Sequence, residues 1–278
     1  MELFKSISPP PVSRRRFLKA SLGGAAALAI YAGEIERHWI DVIRRDISLR
    51  GLPASFDGFR IAQISDIHMD EYTEPFFLRR VIQRINSLQP DTVFLTGDYV
   101  SHGILSRKFA IGAAWQCANV LKELQCRQLY AVLGNGITVL NNNCLPIERA
   151  NGRFWLAGLD DPVVGHPNPE LAIPARIRNL PNEPVVLLCH APDYADNLLA
   201  SPEGAALGLM LSGHTHGGQI RLPLLGALQL PTLGMKYVQG WFQLGGFQLY
   251  VNRGIGTSGL PFRFDCLPEI TLITLRRG

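Results

Sequence analysis

The 278-residue sequence predicts a layered α/β fold. Three observations carry that reading. Apolar runs of strand length alternate with helical patterns through the first half of the chain. The runs close on Asp, Asn and His set beside glycine or other small residues. The second half is β-rich and punctuated by Gly and Pro. Hydrophobic residues make up 47% of the chain and charged residues 18%, which is enough apolar material for a sizeable core and argues against disorder.

Residues 1–33 stand apart. Ser13-Arg14-Arg15-Arg16-Phe17-Leu18-Lys19 precedes a mildly apolar stretch, Ala20 to Ala32, and resembles a twin-arginine export signal. It implies recognition by the twin-arginine translocase and delivery to the periplasm or the extracytoplasmic face of the membrane. Ala27-Leu28-Ala29 offers a small-residue cleavage site, and retention as an anchor is the alternative. Setting aside the five basic residues and Glu2 of this segment leaves 22 basic and 22 acidic residues, from totals of 27 and 23. The remainder has no basic excess, so no nucleic-acid partner is expected. Five cysteines, an odd number without CxxC spacing, speak against a disulfide framework.

Residues 34–56 read as a linker and an edge strand, Val42 to Leu49, broken by Gly51-Leu52-Pro53. The main domain is assigned to residues 57–278. Phe59 to Ser65 is a strand reaching Asp66. Pro75 opens a helix with Phe77, Leu78, Val81, Ile82 and Ile85 at helical spacing, and Pro90 ends it. Thr92 to Thr96 leads to Gly97-Asp98, residues 105–124 read as a helix, and Tyr130 to Leu133 is a third strand. This β-α-β-α-β order predicts parallel strands. Ile137 to Leu140, Cys144 to Arg149 and Phe154 to Gly158 then read as a meander. A helical stretch, Pro169 to Ile177, precedes strands Val185 to Cys189 and Leu207 to Ser212. A hairpin over Trp241 to Val251 turns at Gly245-Gly246.

The chemistry gathers at strand ends: Asp66 and His68, Asp98, Asn135, His190, then His214 and His216. Carboxyl ends of strands in open α/β sheets are where sites are built, and four of the seven histidines fall in this set. Mixed Asp, His and Asn ligation without thiolate suits a pair of divalent ions, manganese, iron or zinc. Two such ions can share a carboxylate and a hydroxide for in-line attack on phosphorus.

Ser65-Asp66-Ile67-His68, Thr96-Gly97-Asp98, Gly134-Asn135, Cys189-His190-Ala191-Pro192 and Ser212-Gly213-His214-Thr215-His216 resemble the successive motifs of the calcineurin-like metallophosphoesterases. The resemblance implies a layered β-sandwich of mixed sheets flanked by helices, and a hydrolase of phosphomonoesters or phosphodiesters. Gly158-Leu159-Asp160-Asp161 and Asn252 to Gly259 are similar to the bacterial membrane-associated phosphodiesterase branch, which implies a membrane surface and a lipid-linked ester as partners. By resemblance one ion takes Asp66, His68, Asp98 and His216, and the other Asp98, Asn135, His190 and His214.

One motif departs from the family. There Gly-Asn is followed by His and then an acidic residue, with a helix before the next strand, whereas here Asn135 runs through Gly136 to Ile137. The resemblance thus implies an internal deletion and loss of the catalytic His, hence an impaired enzyme. His102 is the candidate substitute general acid. The alternative is a non-catalytic metal- or ligand-binding module at the membrane. Arg253 and Arg263 are candidates to clamp phosphate through paired N–H donors, and Gln219 to touch substrate. Asp160 and Asp161 read as an Asx turn. The run Leu222 to Leu228 reads as a buried hairpin or a bilayer-facing loop.

Overall fold

Two six-stranded mixed sheets pack face to face, with helices on their outer faces, in the computed structural model of the chain. It describes residues 13–69, 72–101, 107–126, 128–132, 138–178, 180 and 182–278. In chain order the strands are β1 (Asp41–Leu49), β2 (Arg60–Ile64), β3 (Thr92–Leu95), β4 (Leu129–Ala131), β5 (Thr138–Val139), β6 (Asn143–Arg149), β7 (Gly152–Gly158), β8 (Val185–Leu188), β9 (Leu207–Ser212), β10 (Arg221–Leu222), β11 (Gly226–Ala227), β12 (Gly240–Leu244), β13 (Phe247–Val251) and β14 (Glu269–Arg277). The longer helices are α1 (Arg14–Ile30), α2 (Pro75–Leu88) and α3 (Arg107–Leu121).

The first sheet has the order β1-β14-β2-β3-β4-β5 and the second β12-β13-β9-β8-β7-β6. Alternation along the strands divides the core. Ile61, Phe94, Ile273 and Leu275 of the first sheet meet Phe154, Leu156, Val186, Leu188, Leu209 and Leu211 of the second. Ala62, Ile64, Val93 and Leu95 point the other way, under the apolar stripe of α2 and part of α3. Gln63 breaks the apolar pattern inside the sandwich. Its amide nitrogen donates to Thr96 Oγ1 at 3.2 Å and to the Ser212 carbonyl at 3.0 Å, which ties the carboxyl ends of the two sheets together.

The structure departs from the sequence expectations in four places. β5 is not part of a meander: it lies parallel beside β4 in the first sheet, whereas β6 and β7 form an antiparallel hairpin in the second. Residues 132–137 alone separate β4 from β5 in sequence, although a parallel pair ordinarily needs a crossover of a dozen or more residues. Residues 34–40 are not a free linker. Glu36 is buried and its carboxylate accepts the Cys266 backbone N–H at 2.8 Å, while Arg37 pairs with Glu74 at 2.7 Å. Nor is the end of the segment 1–33 wholly set apart, since Ala32 is buried and its carbonyl accepts the Arg263 N–H at 3.0 Å. Finally, the tail read as Gly- and Pro-punctuated β structure ends in a continuous nine-residue strand, β14.

β1 is an edge strand, in register with β14 over nine residues. Helix α1 has no buried residue, and among the described residues no helix is long and apolar enough to cross a membrane.

Candidate metal centre

β2 and β3 of the first sheet and β8 and β9 of the second all end at the same end of the sandwich, and each releases its next residues into tight loops. The loops interlock through the backbone. Asp66 N–H donates to the Gly97 carbonyl at 3.0 Å, His68 N–H to Asp98 at 2.9 Å, and Gly213 N–H to His190 at 3.1 Å. Gly97 is required here: its φ is +115°, and a Cβ on it would collide with the His190 imidazole.

Five prospective ligands adopt left-handed backbone conformations, with φ of 50° at Asp66, 44° at His68, 49° at Asp98, 70° at His214 and 51° at His216. Such conformations cost a residue with a side chain about 1–3 kcal/mol and persist where the surroundings over-determine them. Here they mark the bends by which the chain leaves each strand and brings Asp66 with His68, and His214 with His216, into the site.

Two three-residue clusters result. Asp66, His68 and His216 bring one ligand atom each within 4.8 Å of one another, as do Asp98, His190 and His214. The clusters are joined by Asp98, whose Oδ2 lies 3.3 Å from His68 Nε2 and 3.4 Å from His190 Nε2. The donor set passes a chemical test for cations. His68 Nε2 and His216 Nε2 face each other at 3.0 Å, and His190 Nε2 faces His214 Nδ1 at 3.2 Å. The far nitrogens of the second pair meet carbonyls, His190 Nδ1 at 2.7 Å from Thr96 O and His214 Nε2 at 2.8 Å from Thr232 O. A ring that donates to a carbonyl on one side presents a lone pair on the other. Lone pairs and carboxylate oxygens converging in this way suit a cation at each cluster.

Without a cation the two clusters differ, the His216 ring being neutral and the His190 ring holding a proton that a bound cation would displace. Burial works against ionisation of Asp66, yet His216 and His190 hold its carboxyl below the usual range. Its two oxygens also accept the His214 N–H at 3.1 and 2.9 Å. Asp98 is likewise held well below the usual range, burial being outweighed by hydrogen bonds from His190 and His68. Burial pushes His216 down to about 3, which keeps its ring neutral. Burial also opposes the charge on His190, but Asp98 raises it to about 10.

Six of the seven proposed ligands are thus brought together, while Asn135 lies outside the described residues, as does His102. The candidate substrate contacts require correction. Arg263 is fully buried and directs its guanidinium at the carbonyls of Gly256, Cys266, Arg253 and Gly254. Arg253 donates from Nε to Glu269 at 2.5 Å and from Nη2 to Asp41 at 2.8 Å. Gln219 clamps a loop, donating to the Ser258 and Leu260 carbonyls and accepting the Ser258 N–H. These three side chains are committed to the scaffold. A residue that the sequence reading left aside does reach the site: Asp161 lines a narrow cleft with Asp98 and His190. The signal available for it was the one that found the others, since it follows the end of β7 by three residues.

Comparison with known proteins agrees with this geometry. The calcineurin-like phosphoesterase family profile matches residues 59–218. The uncharacterized metallophosphoesterase YkuE of Bacillus subtilis is 35% identical, with 95% of this chain and 98% of that protein covered. Phosphodiesterase YaeI of Escherichia coli is 31% identical, with coverage of 95% and 99%. UDP-2,3-diacylglucosamine pyrophosphatase LpxG of Chlamydia trachomatis is 26% identical, covering 88% and 92%.

Proposed function

Because the chain belongs to the calcineurin-like phosphoesterases, we propose that it is a metal-dependent hydrolase of a phosphomonoester or phosphodiester, lipid-linked and met at a membrane surface after export. The observation that carries the reading is the pair of three-residue clusters joined by one oxygen of Asp98. Asp66, His68 and His216 would hold one divalent ion and Asp98, His190 and His214 a second, manganese, iron or zinc, and the pair would supply Lewis acidity toward water and the phosphoryl oxygens. The chain's own residues do the positioning. Thr96 O and Thr232 O fix the orientations of His190 and His214, and the loop bonds from Asp66 N–H to Gly97 and from His68 N–H to Asp98 hold the two carboxylate-bearing loops before any ligand arrives. Asn135 completes the second set in this proposal. The names of YaeI, a phosphodiesterase, and LpxG, a UDP-2,3-diacylglucosamine pyrophosphatase, support hydrolysis at a substituted phosphoryl group here.

The proposal includes an impairment. No His follows Gly134-Asn135, so an alkoxide leaving group lacks its customary proton donor. General acid catalysis contributes about 10²–10⁴-fold, and an aryl leaving group such as nitrophenolate hardly needs it. The reconstituted protein is therefore expected to contain two ions and to hydrolyse nitrophenyl esters while failing on alkyl esters by roughly that factor against intact relatives. Inserting a His-Asp loop and helix after Asn135 should restore the alkyl reaction at unchanged metal content. His102→Ala tests the substitute acid, and a selective alkyl loss assigns the role to His102. Metal binding without turnover of either ester class would favour a binding module, and folded protein that takes up no metal would remove the site.

A further inference from the structure

Among the described residues Arg263 is the largest fully buried side chain, and a guanidinium is costly to bury without a carboxylate beside it. Its donors go to carbonyls instead. Nε donates to Gly256 at 3.1 Å, Nη1 to Cys266 at 3.0 Å, and Nη2 to Arg253 at 3.0 Å, Gly254 at 3.2 Å and Gly256 at 2.6 Å. One planar group thereby fastens residues 253–256 on one side and residue 266 on the other.

Both fastened segments lie against ligands of the first cluster. Ile255 N–H donates to the Ser65 carbonyl at 3.0 Å, and Gly256 N–H to the Asp66 carbonyl at 2.8 Å. The approach is close. Gly254 has a φ of +69° and a Cβ on it would stand 2.7 Å from the Asp66 Cβ, while one on Gly256 would collide with the Ile67 carbonyl. On the other side, Cys266 Sγ donates to the His216 carbonyl at 3.1 Å. Asp66 and His216 both hold the left-handed backbone, which persists only where the surroundings impose it. Arg263 ties together two of the segments that do so. The second cluster is held differently. Its His190 and His214 rings are oriented by Thr96 O and Thr232 O, which belong to neither segment. The His214 backbone N–H also donates to Asp66, but the ring keeps its own support.

Resting on the metal-centred reading, we propose that Arg263 is a positioning residue for the first ion. It sets Asp66 through residues 253–256 and His216 through Cys266, so that its loss weakens the Asp66–His68–His216 cluster and spares the Asp98–His190–His214 cluster. Groups that orient metal ligands from behind carry about 10–100-fold in metal affinity. A lysine at this position keeps the charge but loses the planar fork that spans the two segments.

The test titrates the chelator-treated full chain with Mn2+. Arg263→Lys should weaken one of two ions by about 10–100-fold and leave the other within about twofold. The exchange-coupled electron paramagnetic resonance spectrum of the pair should give way to that of isolated Mn2+. His216→Ala, which strips the first cluster of a ligand, identifies the affected site, because adding Arg263→Lys to it should not weaken the remaining ion further. Phe56→Leu, in the core where β2 begins and so opposite the ligand-bearing end, controls for lost stability and should bind both ions as the unmodified protein does. If Arg263→Lys does not fold, Cys266→Ala takes its place: it leaves the guanidinium and removes only the donor to His216, with about a tenfold loss at the same site. Unmodified constants in the variant, equal loss of both ions, or further loss in the double variant overturns the proposal. Fewer than two Mn2+ ions bound by the folded, unmodified protein overturns the reading beneath it, and that measurement precedes any substitution.

Discussion

His190 shows how one residue carries opposite demands. Burial alone would strip its proton, but the adjacent Asp98 carboxylate raises it to about 10, against about 6.5 for an ordinary imidazole. In metal-free protein its folded value is therefore above its unfolded value. The associated stability is fully present below about pH 6.5 and is lost as the pH rises through about 10. Urea denaturation of chelator-treated protein at pH 6.5 and pH 10 should show the lower midpoint at the higher pH. Metal loading should remove that trend, because a ligated imidazole nitrogen carries no proton. At this scale much of the site was legible, since Asp66, His68, Asp98, His190, His214 and His216 each follow a β-prone run and sit in recognisable motifs. Arg253, Arg263 and Gln219 were misread for a physical reason. Their neighbours in sequence are turn residues of the kind found around anion sites, and nothing local reveals that Glu269, Asp41 and a set of inward carbonyls have already taken their donors.

Among the elements, the ribbon β10–β11 connects surface to site. It begins five residues after His216, Arg221 donates to the Gly217 carbonyl at 2.8 Å, and Gly218 packs against Ala227. The sequence reading allowed a buried hairpin or a bilayer-facing loop; a ribbon forms, but Leu224, Leu225 and Leu228 stay exposed, Leu225 at 78%. Under the membrane-surface proposal these leucines enter the lipid interface. Replacing Leu224 and Leu225 together by Asp should reduce sedimentation with phosphatidylglycerol vesicles at least tenfold, with hydrolysis of soluble nitrophenyl esters unchanged. Equal vesicle binding by the double variant would remove the ribbon from that role. Element prediction succeeded where periodicity was strong, as in α2 with Phe77, Leu78, Val81, Ile82 and Ile85 buried. It failed for β5 because two residues of strand carry no information about which sheet they join. It left β14 undelimited within a tail read as Gly- and Pro-punctuated β structure, although the strand is buried along most of its length.

At the scale of the whole molecule, residues 31–38 tie the amino-terminal segment to the sandwich. Helix α1 contributes nothing buried, but Ala32, Glu36 and Arg37 hold Arg263, Cys266 and Glu74, and the Arg263 loop in turn packs beneath Asp66 through Gly254 and Gly256. A chain starting at Tyr31 should keep its melting temperature and metal content. One starting at Ile40 leaves buried partners unsatisfied and should melt lower by roughly 10 °C, as calorimetry would show; equal melting of the two would contradict the clamp. The order β1-β14-β2 has a further consequence, one of timing. The strand that joins β1 to the rest of its sheet lies about 200 residues after β2 in the chain, so it is synthesised roughly 10–40 s later at ordinary elongation rates. Until then β2 presents an open edge and β1 has no partner. The sheet therefore cannot be completed before β14 is made, and a chain cut ahead of β14 carries an unpaired sheet edge open to pairing with another chain.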